Sequence, residues 1–161
     1  MSQQTNVQRG FTLIELIVVV ALTAILLILV APSFIDQMGR RQIEGAATEL
    51  TSDLQFARSQ AVDGGSSATT VLTTSANGYT VTSATTMGGL TTFKTVSLGP
   101  GLSITNPVTV TFDGLRGMAN ASNMTLQSTK TSAQLTASVS AMGRVSICSL
   151  DGSLKGYNTS C

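Results

Sequence analysis

The chain has 161 residues but no histidine and no tryptophan, only two cysteines and three prolines, and just 11% charged side chains. Without an imidazole there is no histidine base, no histidine metal ligand and no base for a nucleophilic triad. Two cysteines are too few for a structural zinc site, and no phosphate-cradling glycine motif is present. Beyond residue 63 the only carboxylates are Asp113 and Asp151, and each precedes a glycine, where aspartate serves turns for backbone reasons. These absences argue against an enzyme. No cofactor and no metal are expected.

What the chain does have is one long apolar run. From Phe11 to Ala31 the interruptions are Thr12, Glu15 and Thr23. Those 21 residues span roughly 32 Å as a helix, enough to cross a bilayer. A secretory signal would have a shorter apolar core of ~7–15 residues and a small-residue cleavage site, but Leu29 stands two residues before Ala31. A buried helix of a soluble domain fits less well, because nothing downstream is apolar enough to wrap it. The run reads as a membrane-inserting segment. Its flanks give a near tie in positive charge, Arg9 against Arg40 and Arg41; the short leader and long tail point to export of the tail. A carboxylate at Glu15 costs roughly 2.5–3.5 kcal/mol near the bilayer centre, so it needs a partner, unless it lies near enough to the interface to stay hydrated.

Past Pro32, the residues Ile43, Ala46, Ala47, Leu50, Leu54, Ala57 and Ala61 recur at steps of three and four, the pattern of an amphipathic helix. Glu44, Glu49, Asp53 and Arg58 are expected mainly on its other faces, and Asp63-Gly64-Gly65 is a stop signal. Pro32 lacks a donor for its turn, and Gly39 and Gly45 are poor helix formers, so a kink or soft middle is expected. The remainder alternates with period two. "SATTVLTT" and "YTVTSAT" flank Asn77-Gly78, a strong hairpin signal, and "TTFKTVSL", "VTVTF", "MTLQS", "QLTASVS" and "GRVSICS" follow. Of the 98 residues from Gly64 onward, 34 are Ser or Thr, which suits half-exposed strands and predicts a single antiparallel sheet on the helix end. Charge divides as well. Residues 11–63 carry a balance of −3, and residues 64–161 a balance of +3 through Lys94, Arg116, Lys130, Arg144 and Lys155 against two aspartates. Cys148 and Cys161, an even pair beside a membrane signal, read as a disulfide in an oxidising compartment; the alternative is a pair of reduced cytosolic thiols.

"RGFTLIEL" followed by about twenty apolar residues resembles the class III signal of type IV prepilins and type II secretion pseudopilins. The resemblance implies cleavage of a leader, residues 1–10, by a membrane prepilin peptidase between Gly10 and Phe11, and N-methylation of Phe11. It implies that Glu15 pairs with the N-terminal amine of a neighbouring subunit during assembly. "APSF", with Pro32, is similar to the pilus-type members; "ELTSDLQFARSQAV" before Gly-Gly, "VTVTFDGLRGM" and the terminal "GRVSICSLDGSLKGYNTSC" resemble the GspH/FimT group of minor subunits, whose closing disulfide falls on Cys148 and Cys161. The implied fold is α+β, the type IV pilin fold. A membrane half, residues 11–31, and an amphipathic half, 32–63, form one long helix packed on a β-rich head, 64–161.

The resemblance implies a minor pilin in a hetero-oligomeric type IV pilus, priming assembly or sitting at or near the tip, with its precursor in the inner membrane and its head in the periplasm. Two alternatives remain open at this stage. Some FimT-like pilins capture double-stranded DNA for uptake through a Gly-Arg-x-Arg motif; here Gly143 and Arg144 match, Ser146 replaces the second arginine, and Lys155 is a candidate to share the load. A type II secretion pseudopilin is the other, with Pro32 and the cysteine pair counting against it.

Overall fold

The computed structural model describes residues 11–85 and 89–161. It divides into two compact units, one ending at Ile35 and one running Asp36–Cys161. A single helix, α1, spans Leu13–Asp63 and belongs to both. Thr12 caps its start, its Oγ1 accepting the Glu15 N–H at 3.3 Å. At the other end the Gly64 N–H donates to the Gln60 carbonyl, and Gly65 turns to φ +70° as the chain enters a short 3-10 turn, Gly65–Ser67.

In the first unit every described side chain from Phe11 to Leu29 is exposed, so this stretch has no core of its own. Thr23 keeps its hydroxyl satisfied within the helix by donating to the Val20 carbonyl at 2.9 Å. Among the described residues no single helix is long and apolar enough to cross a membrane; Leu13–Leu29 and Ser33–Asp63, bent by 42°, meet that requirement only when taken together and only by length and composition. The Pro32 side chain lies outside the described residues.

The second unit is built around one stripe of α1. Ile43, Ala47, Leu50, Leu54, Ala57 and Ala61 are all fully buried, at the alternating steps of four and three that place side chains on one helix face. Eight strands cover it: β1 Ala68–Ser75, β2 Gly78–Thr85, β3 Gly89–Ser97, β4 Leu102–Ile104, β5 Thr109–Asp113, β6 Ser122–Ser128, β7 Thr131–Val139 and β8 Val145–Cys148. The expected single sheet is instead two four-stranded antiparallel sheets, ordered β3-β2-β1-β5 and β4-β6-β7-β8. They separate because β6 pairs with β4 rather than with β5; β5 reaches the second sheet's side of the chain only through a bridge from Phe112 to Ala119. Each sheet turns one face inward, Leu72, Val81, Val110 and Phe112 from the first, Met124, Leu126, Leu135 and Ala137 from the second, and all join the helix stripe in one core. The Ser/Thr-rich outward faces are as the composition implied. A thin core does not force one sheet when two sheets share one helix.

The first hairpin also differs by one residue from the expected turn. Ser75 pairs with Gly78, so the loop residues are Ala76 and Asn77, and their carbonyls accept the N–H groups of Ile104 and Leu98 at 2.9 and 2.8 Å. Gly78 opens β2 because β3 crosses against it, where a Cβ would overlap the Val96 carbonyl. Strand β4, only three residues long, is too short for its alternation to be read from sequence. Leu126 is fully buried in the second sheet, and its truncation leaves a cavity the core cannot close. Leu126→Ala is expected to lower the unfolding free energy by about 2–5 kcal/mol in a denaturant titration, with the slope unchanged.

Candidate functional site

The residues tied to processing and assembly sit at the start of α1. Gly10 lies outside the described residues. Phe11 is exposed, and Glu15 occupies the first helical turn with its carboxylate free of any partner among the described residues. Thr12-x-x-Glu15 has the spacing of a capping box, a signal present in the sequence but not read from it. The threonine half of that box is formed. A carboxylate in the first turn also faces the positive end of the helix dipole. Around it Leu13, Ile14, Leu16 and Ile17 are exposed.

The two candidate DNA-contacting cations are not brought together. Arg144 follows a tight turn in which the Gly143 N–H donates to the Ser140 carbonyl and the Arg144 N–H to the Ser140 hydroxyl. Its exposed side chain lines a hollow of about 300 Å³ with Ser138, Ser140, Ser146, Asn158 and Ser160. Ser146 therefore faces the same space that a second motif arginine would, but supplies a hydroxyl rather than a charge. Gly143 packs its backbone on Gly117 beside the Arg58 guanidinium, which donates Nε to the Gly117 carbonyl at 3.1 Å. Both glycines are left-handed; a Cβ on Gly143 would overlap the Gly117 carbonyl, and one on Gly117 would crowd Arg58 and Val62 at 3.0 and 3.1 Å. Lys155 instead belongs to the loop closed by the Cys148–Cys161 disulfide, whose Cα atoms are 5.5 Å apart. That loop is tied to α1 where Arg40 Nη1 donates to the Ser153 carbonyl at 2.6 Å. Arg40 and Arg58 are 18 residues apart, about 27 Å along a helix, so Arg144 and Lys155 sit toward opposite ends of the head.

A buried polar cluster stands between those ends. Asp53, expected on an outer face, is only 8% exposed. It follows Leu50 by three residues and precedes Ala57 by four, which places it on the buried stripe. Its Oδ2 accepts the Tyr79 hydroxyl at 2.6 Å and the Lys94 ammonium at 2.7 Å, and Lys94 also reaches Glu49 at 3.0 Å. A buried carboxylate is tolerated only when so satisfied. The cluster fastens the helix to β2 and β3. Burial first, then the hydrogen bond to Asp53, pushes the Tyr79 phenol upward; the bonds to Asp53 and then Glu49 raise Lys94. Asp113 and Asp151 cap their own turns, Asp113 through the Leu115 N–H and Asp151 through Ser149 and Ser153. Among the described residues no group of three His, Cys, Asp or Glu side chains could hold a metal.

Comparison with known proteins meets this architecture at both ends. Residues 46–143 match the family model described as type II transport protein GspH, and residues 5–31 match the prokaryotic N-terminal methylation motif. The head is similar in fold to the type IV minor pilin FimU of Pseudomonas aeruginosa, with a TM-score of 0.53 and 20% identity over 67% of this chain and 89% of that one. No curated protein matches the chain. The α+β architecture of a long N-terminal helix and an antiparallel head is the type IV pilin fold, and it defines a pilin-like subunit. The chain belongs to the GspH family of such subunits.

Tyr79 and Lys94 set an alkaline limit. Because both are raised on folding, the folded head holds protons that the unfolded chain releases, so their contribution is complete at lower pH and is lost as pH rises past the ordinary tyrosine value of 10.0. Thermal melts are expected to fall above that pH, and Tyr79→Phe to cost about 1.5–3 kcal/mol at neutral pH while flattening the alkaline decline. Reducing the disulfide removes a cross-link with a sequence separation of 13. It is expected to cost about 3 kcal/mol by calorimetry.

Proposed function

We propose that the chain is a minor pilin of a type IV pilus, made as an inner-membrane precursor with its head in the periplasm. The observation that carries this is Glu15, a carboxylate with no partner among the described residues, set in a helix whose described flanks are apolar and exposed from Phe11 to Leu29. Such a surface is complete only when other helices or lipid cover it. In this reading prepilin peptidase cuts between Gly10 and Phe11, Phe11 is N-methylated, and the new amine of one subunit meets Glu15 of its neighbour. That pairing removes the cost of an isolated charge in hydrocarbon and fixes the register of the helices. Pro32, without an N–H to donate, gives the helix a soft point between its lipid-facing and head-bound halves. The likeness of the head to a minor pilin supports a place in the pilus, priming assembly or lying near the tip. The family's description in terms of type II transport supports the secretion pseudopilin as the competing assembly.

A second reading, capture of double-stranded DNA, is supported by the exposed Arg144 at its serine-lined hollow. The separation of Arg144 from Lys155 leaves fewer phosphate contacts on one surface than the pair would give, and so predicts weak, salt-sensitive, sequence-blind binding.

Glu15→Ala is expected to leave the subunit membrane-bound and its head folded but to remove it from sheared fibres, with co-purification of partner subunits falling at least tenfold, since about 2.5–3.5 kcal/mol is at stake. Wild-type levels in the fibre would refute the pairing. For DNA, Arg144→Ala is expected to lower duplex binding in a salt series while Lys155→Ala leaves it nearly unchanged. Equal loss from both would show that the two cations act as one site.

A further inference from the structure

The second unit gathers cations where its part of α1 begins. Two segments grip the helix there. The turn between β6 and β7 packs Lys130 and Thr131 against Gly39, so closely that a Cβ on Gly39 would meet both at 3.0 Å, and Lys130 Nζ donates to Gln42 Oε1 at 3.2 Å. The disulfide loop is held from the other direction by the bond from Arg40 to the Ser153 carbonyl. The result sets Lys130, Lys155 and Arg41 around one end of the head. Arg41 and Lys155 are exposed and have no partner among the described residues, and the Lys130 ammonium meets the neutral Gln42 amide.

Three acids share this end. Asp36 bonds Thr131 and accepts from Arg40 at 2.8 Å, contacts that, in that order, hold its carboxyl below the usual range. Asp151 faces into its own loop, accepting from Ser149 and Ser153. Glu44 lies a turn further along α1; burial first, and then the Glu44 charge, raises the Tyr157 phenol. Arg40, Arg41, Lys130 and Lys155 thus outnumber Asp36, Glu44 and Asp151 at this end, a surplus of one positive charge. Chain length fixes what they can reach. Asp36 comes five positions after Ala31, which is at most ~18 Å of chain whatever its path. If the apolar run lies in a bilayer, this end of the head is confined to within a short reach of the headgroup layer, where each added Lys or Arg favours an anionic surface.

We propose that Arg41, Lys130 and Lys155 form a docking surface for anionic phospholipid headgroups, seating the head on the membrane before assembly. The inference rests on the reading of residues 11–31 as a membrane segment. Seating would hold the disulfide loop and the β6–β7 turn against lipid and leave the Arg116 and Arg144 end free for contacts with other molecules. Lift-off from the surface would then accompany entry into the fibre.

The test uses the full chain reconstituted in vesicles of phosphatidylcholine, with or without phosphatidylglycerol, and reads amide hydrogen exchange by mass spectrometry. The expected result is slowed exchange in residues 129–133 and 151–157 only when phosphatidylglycerol is present, abolished by high salt. Each of Arg41→Gln, Lys130→Gln and Lys155→Gln is expected to weaken that protection about five-fold, and the triple variant about a hundred-fold. Arg116→Gln, at the far end, is expected to leave it unchanged. Identical exchange in the two vesicle types, or equal loss from Arg116→Gln, overturns the docking surface while leaving the membrane segment intact. A chain that fails to float with vesicles after an alkaline carbonate wash overturns the membrane reading and this surface together.

Discussion

The buried stripe of α1 from Ile43 to Ala61 is the contact on which the rest of the head depends. Among the described residues both sheets bury their apolar faces against this stripe and the facing strands, with Leu154 added from the disulfide loop, and the outward positions are largely serine and threonine. A helix that serves as the shared core of two sheets cannot be withdrawn without exposing both. The same helix carries the unpartnered apolar segment at its other end. One helix thus runs from an exposed apolar segment into the folded head, and in the proposed function lipid or neighbouring subunits cover the exposed part.

The polar cluster around Asp53 adds direction to that packing. Small residues dominate the stripe, with Ala47, Ala57 and Ala61 among its six positions, so apolar interlock alone specifies the helix's rotation weakly. A carboxylate that must meet both Tyr79 and Lys94 admits one rotation. The price is a buried charge, tolerable because each oxygen of Asp53 accepts from a donor on the sheet. Arg58 acts similarly at the far end, where its bond to Gly117 holds two left-handed glycine turns in register and so displays Arg116 and Arg144.

Much of this was legible in the sequence. The spacing of Ile43, Leu50, Leu54 and Ala61 identified the core face, Asp63-Gly64-Gly65 the end of the helix, and Asp113-Gly114 a turn. The N-terminal methylation motif was legible because it is written in consecutive residues. What escaped reading were relations between distant segments. The division into two sheets depends on β6 choosing β4, a strand of three residues with no periodic signal. The charge of Asp53 predicts an outer face while its helical phase puts it on the buried stripe, and Tyr79 and Lys94, both remote in sequence, make its burial possible. Arg144 and Lys155 lie close in sequence but are drawn apart because Arg40 anchors the disulfide loop a long way down the helix from Arg58.

In the proposed function this is a processed, assembled subunit whose mature chain begins at Phe11. The most direct measurement is the N-terminal mass of the protein recovered from sheared surface fibres. The account predicts a mature chain beginning with N-methylated Phe11 and present in the fibre fraction. A chain confined to the membrane with residues 1–10 still attached, or cut at another position, would contradict it.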